Sequence, residues 1–211
     1  MLRLRSLLSA FSSDNTSPPE PFGYKMGWIA VRSTDMKAVA ASIPLRSQSP
    51  ASWHDGLAAA YKSSASTHDD TVFIAPPING WICIVGWWAM GASEKDSVRW
   101  TTKTVSGLSA RFSEAHGYAT YRIIDYHHWI MAKQGQVSRC FAYLGESGEV
   151  QCNTGAVTNA EKKLRYASLP PDRWVPDEED VMTVASGWSF DPTKLSASSG
   201  PAVSGILGRL K

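Results

Sequence analysis

Charged residues are scarce in this chain. Asp, Glu, Lys and Arg make up 19% of its 211 residues, and the formal net charge is only +2. No basic stripe stands out, so the electrostatic footprint that phosphate backbones demand is missing and no nucleic-acid partner is expected. Cysteine is scarcer still, with three residues, Cys83, Cys140 and Cys152. An odd count without close spacing argues against a disulfide framework or a zinc knuckle. Cys83 in "WICIV" and Cys140 in "RCFAYL" have strand-like surroundings, so buried thiols and a reducing cytoplasm are the expectation. No apolar run approaches about 18 residues, so no membrane-spanning helix is expected. The opening "MLRLRSLLSAFSSDN" is too short in its apolar part and too rich in serine for a secretory signal. Phosphate loops and dinucleotide fingerprints are missing, and no cofactor is expected. The serine of "GESGE" is not followed by the helix that a nucleophile elbow needs.

The surplus is tryptophan, nine residues in all. Its ring is large and its N–H requires a partner, so most such side chains belong to a core, and the rest favour a binding surface. Trp53, Trp87 and Trp88 are the candidates for that surface, with Trp100 close by in the sequence.

The chain divides into an N-terminal tail and linker (1–22), one domain (23–195) and a flexible C-terminal tail (196–211). Leu4, Leu7, Leu8 and Phe11 have helical spacing, but "SSDNTSPPEP" reads as linker. "GWIAVR" is a strand. In "STDMKAVAASIP", Ser33 or Thr34 caps a helix that Pro44 stops. "SWHDGLAAAY" begins a second helix at the capping Ser52, with Gly56 as a soft point. "TVFIAPPINGWICIVGWW" is two strands joined at Asn79-Gly80, a hairpin dipeptide. Its second strand is apolar at nearly every position, so both faces are covered and it is central. A helix follows over 97–112. Strands separated by turns at Gly135, Gly145 and Gly148 then make an antiparallel meander. Thr158 and Glu161 have capping-box spacing. "PDEEDVMTVASGW" places Pro176 and four acids in the first turn of a last helix. "SASSGPAVSGILGRLK" is rich in Gly and Ser and reads as loosely held. The fold class is α+β, an antiparallel meander sheet with several short helices packed on it.

"IDYHHWIM" contains adjacent histidines that resemble a metal motif. On a strand, however, side chains alternate between faces. His127 and His128 then point oppositely and cannot share an ion. Asp125 and His127 remain as i, i+2 neighbours, roughly 6–7 Å apart along the strand. A carboxylate beside an imidazole can orient it as a general base. The same pair also serves as a polar stripe, or pairs across strands with Arg139. His54, His68 and His116 have no metal-ligand spacing, and no metal is expected. Cys140 beside His127 reads as a buried thiol rather than a nucleophile. Two functions compete. One is a non-catalytic binding protein using Trp53, Trp87, Trp88, Asp125, His127 and Arg139. The other is a small hydrolase or ligand-binding enzyme built on Asp125 and His127, with Glu149 or Arg139 beside them.

"GWIAV", "SWHDGLAAAY", "VFIAPPINGWICIVG", "YHHWIMAKQGQVSRCFAYLGE", "NTGAVT" and "PDEEDVMTVASGWSFDPTKL", in this order, resemble a group of uncharacterised bacterial proteins. Members are often encoded near polymorphic toxins of the type VI and Rhs kinds. The resemblance implies an immunity protein that neutralises a cognate protein toxin in the cytoplasm. It carries no catalytic motif.

Overall fold

The computed structural model describes residues 15–62, 70–87, 94–164 and 175–211. The tail residues Leu4, Leu7, Leu8 and Phe11 lie outside that range, as do Trp88 and His68. Nine strands form one sheet: β1 (Met26–Arg32), β2 (Leu45–Ala51), β3 (Thr71–Ile74), β4 (Trp81–Val85), β5 (Glu114–Tyr121), β6 (Tyr126–Lys133), β7 (Gln136–Leu144), β8 (Glu149–Thr154) and β9 (Gly205–Leu210). Their order across the sheet is β2-β9-β3-β4-β1-β5-β6-β7-β8, and every neighbouring pair is antiparallel. The helices are α1 (Met36–Ala40), α2 (Trp53–Lys62), α3 (Glu94–Phe112) and α4 (Glu178–Trp188). This is the α+β class with the β5–β8 meander read from the sequence. None of the helices described is long and apolar enough to cross a membrane.

Strand alternation divides the interior into two cores. Trp28, Phe73, Val85, Tyr118, Trp129 and Phe141 face one way, against Trp53 and Leu57 of α2 and Val181 and Ala185 of α4. Ile29, Ile74, Ile82, Ile84 and Ile130 face the other, against Val39 of α1 and Val105 and Leu108 of α3. Helices therefore cover both sides, which explains the unbroken apolar run of β4, buried at all five positions. Each fully buried Ile or Val there contributes roughly 1.5–3 kcal/mol. The hairpin into β4 forms as its sequence requires. Asn79 and Gly80 have φ values of 51° and 80°, and Ile78 pairs with Trp81. Two successive left-handed residues match the twist of the flanking strands.

Local signals explain most helix starts. Ser52 and Asp55 bond reciprocally at the start of α2, with Asp55 N–H to Ser52 Oγ at 3.0 Å and Ser52 O–H to Asp55 Oδ2 at 2.7 Å. Asp177 and Asp180 form a capping box on α4. At α1 the cap is Asp35, whose carboxylate accepts from Ala38 N–H at 3.0 Å. Ser33, expected as a possible cap, instead accepts from Asp35 N–H at 3.1 Å. Gly56 is no soft point. A Cβ there would overlap the Phe73 ring, so the glycine permits α2 to lie close on β3.

The C-terminal residues correct the expected flexible tail. Residues 205–210 are β9, inserted between β2 and β3. Ile206 and Leu210 face one core and Leu207 the other, a period of two that the two glycines obscured. The linker also packs down. Ser17 bridges Val203, Ser17 Oγ accepts from His54 N–H at 3.1 Å, and Phe22 enters the core. Strand β2, polar and containing Pro50, carries no strand periodicity in the sequence; it is an edge with a bulge between Arg46 and Gln48.

Truncation after Ser204 should abolish cooperative folding, because β2 would lose its strand neighbour and β3 would expose an unpaired edge. Urea unfolding followed by circular dichroism checks this. A soluble truncated chain with an unchanged midpoint would refute it.

Candidate functional site

The β5–β6 hairpin ends in a turn over residues 122–125, so Asp125 belongs to a turn rather than to a strand. Its φ is 50°, and its carbonyl accepts from Gly145 N–H at 3.0 Å. Glu146 N–H donates to the Ile124 carbonyl at 3.2 Å, which ties the β7–β8 turn beside it. Beyond the turn, alternation holds as read. Trp129 packs in the core on the α4 side and Ile130 in the core on the α3 side, so His127 shares the first face and His128 the second, while Tyr126 packs with Ala119 at the end of the hairpin. His128 Nδ1 bonds the Tyr126 hydroxyl at 2.8 Å.

Both histidines are interior, at 1% and 0% exposure, although Asp125 is exposed. Burial lowers the His127 pKa to about 4 against the opposing pull of Asp125 and Asp177. Burial, with His127 adding to it, lowers that of His128 to about 3. Both are neutral at pH 7. His127 Nδ1 and His128 Nε2 lack hydrogen-bond partners. A proton acceptor this reluctant, and closed off from solvent, is poorly placed for general-base work at neutral pH.

Arg139, expected at a partner surface or paired with Asp125, is 2% exposed and bonded to Glu161, which is 0% exposed. Arg139 sits opposite Met131, well along the hairpin from Asp125. Its Nε and Nη2 both lie 2.7 Å from Glu161 Oε1. Its Nη1 donates to Asn153 Oδ1 at 2.8 Å and to the Thr154 carbonyl at 2.9 Å. Glu161 Oε1 also accepts from Trp129 Nε1 at 2.8 Å, and Oε2 from Thr158 N–H and O–H, each at 2.8 Å. The capping-box spacing is thus real, but it seats a carboxylate that serves three segments directly, β6, β7 and its own loop. Burial works to raise the Glu161 pKa. Hydrogen bonds from Arg139, Thr158 and Trp129 outweigh it and hold the group below the usual carboxylate range. His116, also interior, contacts Glu114 at 3.0 Å. Burial lowers the His116 pKa, so this is a neutral ring donating to a carboxylate rather than an ion pair.

Trp53 is wholly buried and packs edge-on against Phe73. Trp87 is half-buried and packs edge-on against Tyr121. Of the residues expected at a partner surface, Trp53, His127 and Arg139 are therefore core, and Asp125 is at the surface. The cysteines also correct the sequence reading: Cys140 and Cys152 form a disulfide. They are diagonal neighbours, because Cys140 pairs with Thr154 and Ala142 with Cys152. The β7–β8 hairpin brings together two residues 12 apart in sequence, with Cα atoms separated by 6.1 Å. Cys83 is a buried free thiol, as expected.

One surface is marked by no motif in the sequence. Ile123, at the tip of the β5–β6 turn, is 68% exposed, and Tyr24 and Val175 are 40% and 56% exposed. All three lie around the start of α4. The Tyr24 hydroxyl donates to Glu179, Arg122 contacts Glu178 at 3.9 Å, and Val175 precedes the Asp177 cap. An isoleucine outside any periodic element was the available signal. Two open grooves lie elsewhere. One, of about 370 Å³, is lined by Ser47, Gln48, Lys62 and Arg209. The other, of about 360 Å³, is lined by Trp100, Lys103, Leu108 and Lys211. Neither includes Asp125 or His127. The described residues contain no group of three or more His, Cys, Asp or Glu arranged to hold a metal.

No protein-family model, curated protein or solved structure matches the chain.

Two measurements probe this interior. In the unfolded chain the histidines titrate near 6.5, but in the folded chain near 4 and 3. The unfolded chain therefore takes up protons first. The stabilisation is intact above pH 6.5 and is lost as the pH falls towards 4 and 3, roughly 3 kcal/mol per histidine by pH 4. Tm should drop steeply across that window, and His127→Gln with His128→Gln should flatten the profile. Glu161→Gln strands the Arg139 charge in the interior and should cost about 3–5 kcal/mol in urea unfolding. Adding Arg139→Met should recover part of that loss, as a coupled pair requires.

Proposed function

We propose that the chain is a non-catalytic immunity protein that binds and neutralises a cognate bacterial toxin protein. The observation carrying this reading is the exposed apolar group Ile123, Tyr24 and Val175 at one end of the sheet. Ile123 in particular projects from a turn whose backbone is held at both ends, by the Tyr121 carbonyl to Ile124 N–H and the Asp125 carbonyl to Gly145 N–H. Ile123 is the most exposed of the large apolar side chains on the described surface, and an apolar anchor on a preorganised turn loses little entropy on docking to another protein. The resemblance in the segments from "GWIAV" to "PDEEDVMTVASGWSFDPTKL" supports the choice of a toxin as the partner.

Co-expression with the product of the adjacent gene is the test. That product should be toxic alone, harmless with this chain, and should co-purify with it. Ile123→Arg should weaken the complex at least about tenfold, as loss of an anchor does. Tm should change little, because the side chain is mostly exposed. If no neighbouring product is toxic, or none binds, the reading fails.

A further inference from the structure

The end of the sheet that presents Ile123 is acidic, although the whole chain is formally +2. Asp125, Glu146, Asp177 and Glu179 are exposed there and Glu178 is half-buried. Three independent ties hold them together. The hydrogen bonds of Gly145 and Glu146 fix the β7–β8 turn against Ile124 and Asp125. Thr120 Oγ1 donates to Glu178 at 3.3 Å, which fixes the start of α4 over β5. Tyr24 reaches Glu179 from the segment before β1. The cations in this network are Arg122, drawn towards Glu178, and Lys25, whose backbone N–H rather than its ammonium contacts Glu178 at 3.4 Å. His127, beneath Asp125 and Asp177, is neutral and adds no positive charge. The carboxylates of Asp125 and Glu146 have no side-chain hydrogen bond or ion pair among the described residues.

We infer that the partner docks here through a basic protein surface, with lysines and arginines surrounding an apolar side chain that packs on Ile123. This rests on the partner-binding reading above and names the chemistry of the partner. The choice follows from charge and apolarity together. A nucleic acid or an anionic lipid surface would meet the same carboxylates and be repelled. A neutral apolar partner would leave the carboxylates without counter-charges and partly desolvated. A basic protein uses both components: the acidic rim speeds encounter, and the apolar centre holds the complex.

The test uses the full chain, labelled with nitrogen-15. The probes are a peptide in which lysines flank one tryptophan and its counterpart with glutamate in place of lysine. The lysine peptide should shift the amides of Ile123, Asp125, Glu146 and Glu179, with shifts that fade as salt rises, and the glutamate peptide should not. Shifts confined to the groove at Lys62 and Arg209, or none from the lysine peptide, would overturn the inference. With the adjacent-gene product as ligand, the association rate should fall at least about tenfold between 50 mM and 500 mM salt. It should fall similarly in the Asp125→Asn, Glu146→Lys, Glu179→Lys triple variant, with the dissociation rate little changed. A toxin that binds with a salt-independent rate would sink the basic-surface inference and leave the immunity reading standing. If no neighbouring product binds, the immunity reading fails while the peptide titration still reports on this surface. Sedimentation showing that the chain pairs with itself through this end would identify a second copy as the occupant and overturn the inference.

Discussion

One buried carboxylate organises half of the molecule. Glu161 accepts from Arg139 on β7, Trp129 on β6 and Thr158 in its own loop. Through Arg139 it reaches Asn153 and Thr154 on β8. Thr158 in turn accepts from Trp188 Nε1 at 3.0 Å, which anchors the end of α4. An ion pair at 2% and 0% exposure carries a large desolvation cost, offset only because nearly every donor and acceptor is satisfied. The geometry is therefore intolerant of loss. The same node that fixes the meander also sets the position of α4, and α4 carries the acidic face at its other end.

The remaining constraints are of ordinary strength but consistent. Helices on both sides of the sheet favour apolar side chains on both faces of a central strand, and β4 is apolar at all five positions. Asn79-Gly80 adopts the left-handed pair its hairpin needs. The aromatic residues are spent largely on the interior. Trp28 stacks on Tyr118 at 5.0 Å and Trp129 on Phe141 at 4.4 Å. Among the described residues the tryptophans thus have mainly a packing role, and the most exposed large apolar side chain is an isoleucine.

Periodicity made the fold class, the hairpin, the meander and the capping boxes legible, because each is a local pattern. Residues whose meaning depends on distant partners were not legible. β9 reads as a loose tail because its strand character comes from lying between β2 and β3. Asp125 appeared to share a face with His127 because a strand was carried through a turn, and the positive φ that ends it has no strong signature. Arg139 looked available because its acceptors arrive from β8 and from residue 161. Cys140 and Cys152 looked unrelated because hairpin register, not spacing, makes them neighbours. The acidic surface has no local signature because its charges come from three separate stretches of chain, at Asp125, Glu146 and 177–179.

The placement of β9 also bears on how the molecule acquires its structure. Strand β2 has β9 as its strand neighbour, and the paired residues Ser49 and Leu207 lie near opposite ends of the sequence. Closing so long a loop must precede any reward from the pairing. The meander, built from consecutive hairpins, can assemble early and locally. The edge formed by β2 and β9 must wait for a rare encounter between remote segments. The finished domain is continuous across its width, but its two halves differ in how long a stretch of chain their pairings must close.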